Sequence, residues 1–250
     1  MQIQEHVAAL RREGELLAKA AEVAAPGDRV PTCPDWTVRE LVRHVGRVHR
    51  WAGTYVREAR SSAMSPDEEE QAWGPMPDDA GLASWFRDGL GTVVQALEQA
   101  PQDLECWSFL PAPSPLAFWA RRQAHETAIH RADAESACGE VTGHEVDFAV
   151  DGVDELLVGF FSRPRNRLRS DATRTLAVTA TDADASWLIH IGPDGGRAER
   201  GVRQADCELR GPASDLYLGL WNRRSVDDLE TAGDVTLLEL WREKATVHWA

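Results

Sequence analysis

Cysteine is scarce in this chain, and what there is has no arrangement that could hold a fold together. Cys33, Cys106, Cys138 and Cys207 are widely spaced and form no CxxC pair. That speaks against a disulfide framework and against a thiolate zinc site. Long apolar runs are also missing: none approaches the roughly 18 residues of a membrane-spanning helix. The first residues, MQIQEHVAALRREGE, are too polar for a signal peptide. An excess of positive charge is absent as well, and the formal net charge of -14 opposes the approach of a phosphate backbone. There is no internal repeat and no low-complexity segment. These absences predict a protein of the reducing cytoplasm that binds neither nucleic acid nor membrane, with its cysteines serving as small core or boundary residues.

What is present is ordinary globular material. The chain has 250 residues, 43% hydrophobic and 27% charged, enough for one large domain or two ordinary ones. Over about the first 144 residues, helical periodicity alternates with loops rich in Pro, Gly and Asp. One helix is expected over 3–24, ending before Pro26 and Gly27. A second begins at Thr37, where Thr37 and Glu40 form a capping box, and Val38, Leu41, Val42, Val45, Val48 and Ala52 keep its apolar stripe. Residues 62–80, with the acidic run Asp67 to Glu70, read as an exposed loop. A third helix is expected over 81–100. A fourth starts at Ser114, with Pro115 in the first helical position, and runs to about Cys138. Four amphipathic helices suggest a bundle, an architecture that builds metal sites from inward side chains on facing helices.

After residue 144 the pattern changes. A helix over 146–162 leads through the basic segment RPRNRLR into alternating runs at TLAVTAT, SWLIHIG and 205–209, with Pro193, Gly195 and Gly196 read as a turn. Helical patterns resume at 214–221 and 235–244. The expected division is 1–144 as a helical bundle and 145–250 as a small α+β domain with an antiparallel sheet. In the basic segment, Arg163, Arg165, Arg167 and Arg169 read as solvating the domain junction.

The segment RRQAHETAIHRADAE, residues 121–135, carries the most chemistry. Glu126 and His130 stand one helical turn apart and project from one side, and both are ligands for first-row metals. Leu116, Trp119, Gln123, Glu126, His130, Ala134 and Ala137 recur at steps of three or four, as on a buried face. A buried carboxylate needs a compensating cation, which a divalent metal would supply, and Asp133 is placed to orient His130. The alternative is that Glu126 pairs with an arginine such as Arg43 or Arg122 while Phe118, His125 and Ile129 define the core face. In the second helix, His49 lies nearer the centre of the apolar stripe and His44 at its edge. Periodicity therefore favours His49, and the i, i+5 spacing argues against both binding one ion.

The segment CPDWTVRELVRHVGRVHRWA, together with the ExxxH of Glu126 and His130 followed by Asp133, resembles the mycothiol-dependent maleylpyruvate isomerase family. The stretches ATDADASWLIHIGP and ADCELRGPASDLYLGLWNRR are similar to that family's second domain, so the resemblance spans nearly the whole chain. It implies a DinB-like four-helix bundle followed by a sterol-carrier-like α+β domain. Counting from Trp36, it implies His44 as a zinc ligand beside Glu126 and His130, with His49 as the rival. It implies mycothiol as cosubstrate, a small electrophilic molecule as partner, and a monomer or homodimer. Arg223, in LWNRR, is implied as the cation for an anionic substrate, against its reading as a surface residue at a helix C-terminus. His125, immediately before Glu126, departs from the isomerase pattern and puts maleylpyruvate itself in doubt as the substrate.

Two histidines and a glutamate leave one position open on a tetrahedral zinc, the pattern of a catalytic site. The expected chemistry is thiolate addition to an electrophilic carbon, ending in isomerisation or in S-transfer. The competing expectations are metal-assisted hydrolysis without a thiol and a non-catalytic protein that binds metal or a small ligand.

Overall fold

In a computed structural model, residues 1–161, 163, 167–201 and 203–245 are described. Ser162, at the end of the expected fifth helix, and Arg165 lie outside them. The chain divides into two compact units, Met1–Thr142 and Gly143–Ala250.

Four long helices build the first unit: α1 (Ile3–Val23), α2 (Val38–Glu58), α4 (Leu82–Gln99) and α5 (Pro115–Ser136). A two-stranded hairpin, β1 (Arg29–Val30) and β2 (Cys33–Thr37), precedes α2, and a short helix α3 (Pro66–Trp73) follows it. Around the bundle α1 packs on α5, α5 on α2, α2 on α4, and α4 on α1. Leu10, Leu17, Leu41, Val45, Phe86, Val93, Leu116 and Trp119 fill the core.

The ends of the helices follow local chemistry. At the start of α2, the Thr37 backbone N–H donates to Glu40 at 2.7 Å, satisfying a donor that the helix leaves unpaired. At the start of α5, the Ala117 N–H donates to Ser114 Oγ at 3.1 Å. Where α2 meets α4, a Cβ on Gly46 would lie 2.1 Å from the Trp85 ring, so only glycine lets that indole rest on the α2 backbone.

Two findings in this unit differ from expectation. Residues 62–80 are not all loop: Ser65 caps α3, and the acidic run lies on its first turns, where carboxylates favour the helix dipole. No residue of α3 is buried, so no apolar period marks it. Secondly, α5 has no single core face. From Leu116 to Ala134 every residue except Ala117 and Arg121 is buried, so both faces weighed from the spacing are interior. Loops pack on α5 beside the other helices. Phe109 packs on Phe118 with centroids 4.7 Å apart, Thr32 bonds Asp133 at 2.6 Å, and the Thr142 carbonyl accepts from Arg131 at 3.2 Å.

The second unit opens with α6 (Val146–Asp154), which runs into a π-helical turn over Glu155–Phe160. Its five-stranded sheet has the order β5-β4-β3-β6-β7, from β3 (Arg174–Ala180), β4 (Ser186–Gly192), β5 (Gly195–Arg200), β6 (Cys207–Gly211) and β7 (Glu230–Gly233), with α7 (Ala213–Leu220) and α8 (Thr236–Lys244). The sheet is not wholly antiparallel: β3 and β6 pair in parallel, Leu176 with Cys207 through Ala180 with Gly211. Alternating side chains reveal a strand but not its partner's direction. The turn is confined to Pro193 and Asp194, and Gly195 and Gly196, read as part of it, already belong to β5, a strand that the alternation did not reveal. Apolar residues of β3, β4 and β6, such as Leu176, Val178, Ile189 and Leu209, form the core with Leu216 and Tyr217 of α7.

None of the four cysteines forms a disulfide, and Cys138 is exposed rather than at a core boundary. Among the described residues no helix is long and apolar enough to cross a membrane.

Candidate metal centre

The α2–α5 packing brings His44, Glu126 and His130 together. Glu126 Oε1 lies 3.3 Å from His44 Nε2 and 3.3 Å from His130 Nε2, and one ligand atom from each residue falls within 4.8 Å of the other two. Glu126 and His130 are buried, while the His44 side chain keeps 24% of its surface exposed. The cluster therefore opens toward solvent on the His44 side.

Neighbouring side chains fix the orientation of each member. His130 Nδ1 lies 2.8 Å from Asp133 Oδ2, and the other Asp133 oxygen accepts from Thr32 Oγ1 at 2.6 Å. A ring N–H donated to that carboxylate leaves Nε2 as the atom that faces Glu126 and His44. The second oxygen of Glu126 accepts from Arg122 at 3.1 Å. Glu126 thus satisfies both readings of the spacing, one oxygen paired with arginine and the other turned to two imidazoles. The Trp36 indole from β2 lies 4.9 Å from the His44 ring and 6.0 Å from the His130 ring, walling one side of the cluster.

Protonation follows from these contacts. Burial opposes a charged His130, but hydrogen bonds to Asp133 and Glu126 outweigh it and raise its pKa to about 9. Burial likewise opposes ionisation of Glu126, yet hydrogen bonds from His130 and His44 and the nearby Arg122 charge hold its pKa well below the usual carboxylate range. Without a cation from outside, the cluster holds a proton between two carboxylates.

His49 stands apart from this cluster. Its Nε2 lies 2.9 Å from Thr127 Oγ1, and that hydroxyl donates to the Gln123 carbonyl at 2.7 Å, so His49 Nε2–H is the donor to Thr127. Complete burial, with the Arg50 charge nearby, lowers its pKa to about 3, and it is a neutral core histidine. Arg223 belongs to the second unit, just beyond α7, where its guanidinium donates to the Trp221 carbonyl at 2.8 Å. Trp36 entered the sequence reading only as a landmark and Thr32 not at all, because nothing in their local pattern announces a hairpin that folds back onto α5.

The donor set fits a divalent ion. It offers two imidazole nitrogens and one carboxylate oxygen, one imidazole is held by a carboxylate behind it, and one side is open. Fold and cluster define a two-unit α+β protein whose helical bundle carries a His-Glu-His centre.

Residues 7–135 match the family model of the mycothiol maleylpyruvate isomerase N-terminal domain, and residues 147–240 match that of the isomerase's C-terminal domain. The chain belongs to the mycothiol maleylpyruvate isomerase family. Among solved structures it is similar to the mycothiol-dependent maleylpyruvate isomerase, with TM-score 0.65 and 13% identity over 94% of this chain and 95% of that one. A histidine-to-alanine mutant of the isomerase gives TM-score 0.64 and 12% identity over the same shares. At such identities the likeness establishes the fold. No curated protein matches the chain.

Proposed function

We propose that this protein is a zinc-dependent enzyme that uses mycothiol to act on a small electrophilic molecule, as an isomerase or an S-transferase of the cytoplasm. The observation that carries the reading is the convergence of His44, Glu126 and His130, with their ligand atoms within 4.8 Å of one another at an opening to solvent. Zinc bound there would stabilise the thiolate form of a small thiol at neutral pH.

The chain's own residues would hold and shape that centre. His44 and His130 would bind through Nε2 and Glu126 through Oε1. Asp133 fixes the tautomer and tilt of His130, and Thr32 fixes Asp133. Arg122 keeps Glu126 ionised and pointed. Trp36 shields the imidazoles from bulk water on its side, which strengthens electrostatic interactions within the site. The sulfur of the thiol would add to an electrophilic carbon, drawing the electron pair of a double bond onto the substrate's carbonyl. Rotation about the resulting single bond and departure of the sulfur returns an isomer, whereas protonation of the adduct leaves a thioether. Arg223 is proposed to bind the anionic end of the substrate. Its support is the family likeness of the LWNRR segment.

The test is a titration of purified protein with mycothiol, with and without zinc. Proton release on thiol addition only when zinc is present is the expected result. Thiol binding that is indifferent to metal would overturn the reading.

A further inference from the structure

Gln123 is only 1% exposed, and among the described residues its carboxamide oxygen has no hydrogen-bond partner. A buried acceptor without a donor costs folding stability, and an apolar side chain of similar length would avoid that cost. Its surroundings do not explain why glutamine stands there. The Thr127 hydroxyl bonds the Gln123 backbone carbonyl, not the side chain. Arg122 turns to Glu126, and His49 Nε2 turns to Thr127.

Its position is more informative. Gln123 lies three residues before Glu126, four before Thr127 and four after Trp119, spacings that share a helix face. Each of those three meets α2: Glu126 at His44, Thr127 at His49, and Trp119 at Trp51 with centroids 5.1 Å apart. The Gln123 side chain therefore sits in the α2–α5 seam, one turn from the His-Glu-His cluster and between it and the Trp51–Trp119 aromatic pair. A lone buried acceptor one helical turn from the cluster calls for a ligand that brings a donor, such as a hydroxyl or an amide N–H. An electrophile bearing only carboxylates brings none at its anionic end.

We infer that Gln123 binds the thiol partner, accepting a hydrogen bond from a hydroxyl or amide N–H of the molecule whose sulfur lies at the cluster. This rests on the metal–thiol reading. It assigns Gln123 to recognition of the thiol, separate from metal retention and from the electrophile.

The experiment compares the zinc-loaded wild-type chain with Gln123→Met, using mycothiol and, as a thiol without hydroxyl or amide, ethanethiol. Zinc content should be equal, and the thermal midpoint of Gln123→Met should be equal or higher, since the unpartnered acceptor is gone. Mycothiol affinity should fall about tenfold, the equilibrium weight of one buried hydrogen bond, while ethanethiol affinity stays unchanged. Unchanged mycothiol affinity, or equal weakening of both thiols with a lower midpoint, would overturn the assignment and make Gln123 structural. If the wild-type chain binds neither thiol with zinc present, the metal–thiol reading itself falls and takes the inference with it. Should Gln123→Met fail to fold, Gln123→Leu makes the same comparison.

Discussion

His44 and His49, five residues apart on one helix, meet opposite fates because α5 presents different groups to each. His44 faces a carboxylate that is also turned to a second imidazole, whereas His49 faces a hydroxyl whose proton is already committed to a backbone carbonyl. His44→Ala should therefore abolish stoichiometric metal binding, as should Glu126→Ala and His130→Ala, with the helical circular dichroism largely kept. His49→Ala should retain metal and lose about 1–3 kcal/mol of stability through the lost hydrogen bond and packing. Elemental analysis beside denaturant unfolding reads both, and full metal content in His44→Ala would remove it from the centre. The same two environments set a pH dependence. His130 has its pKa raised from 6.5 to about 9, so its contribution is complete below about pH 6.5 and is lost as pH rises toward 9. His49 has its pKa lowered from 6.5 to about 3, so its contribution is present above about pH 6.5 and is lost as pH falls toward 3. The metal-free protein should thus be most stable near pH 6.5. Saturating zinc should flatten the alkaline limb by displacing the His130 proton. His49→Gln, which keeps a donor for Thr127, should make the acid limb shallower above about pH 4.5, where ordinary carboxylates remain ionised. Thermal midpoints measured across pH check both limbs.

The helix most legible as chemistry was the least legible as packing. Spacing alone put Glu126, His130 and Asp133 on one side of α5, and their contacts follow from helix geometry. The same periodicity could not show that loops pack on the helix as well, because Thr32, Phe109 and Thr142 reach α5 through tertiary folding that leaves no local trace. The parallel pairing of β3 with β6 escaped for a similar reason, since pairing is a property of two segments and not of either one. Burial on every side also forces α5 to neutralise its own charges. Arg131 Nε lies 2.8 Å from Glu13 Oε2 of α1, with both side chains almost fully buried, and the same guanidinium lies 2.9 Å from Glu135. Removing the buried cation leaves Glu13 with only the half-exposed Arg12, 3.0 Å from its other oxygen, so Arg131→Met should cost about 1–3 kcal/mol. The double variant Arg131→Met with Glu13→Leu should recover most of that loss, because two apolar groups of similar size need no partner. Denaturant unfolding of the two variants measures the coupling, and additive losses would show that the pair acts through packing alone.

On the proposed reading, division of the chain into two units separates holding a metal from using it. Every group implicated in the centre, from Thr32 and Trp36 through His44 to Arg122, Glu126, His130 and Asp133, lies within Met1–Thr142. That unit has its own apolar core and its own closed ring of helices, so it meets the physical requirements for folding alone. A shortened chain ending at Thr142 should therefore bind one zinc ion with an affinity within about threefold of the full chain, since no proposed ligand is lost and a factor of three is under 1 kcal/mol. Turnover should not survive the cut in the same way, because Arg223 and the rest of the second unit go with it. Arg223→Ala in the full chain isolates that part: metal content unchanged, KM for an anionic electrophile raised, and KM for an uncharged electrophile little changed. The charge dependence is the decisive reading, for a residue that only supported the fold would weaken both substrates alike. If the shortened chain matched the full one in turnover, the second unit would be dispensable to the chemistry and the proposed role of Arg223 would fall, while the metal centre in the bundle would stand.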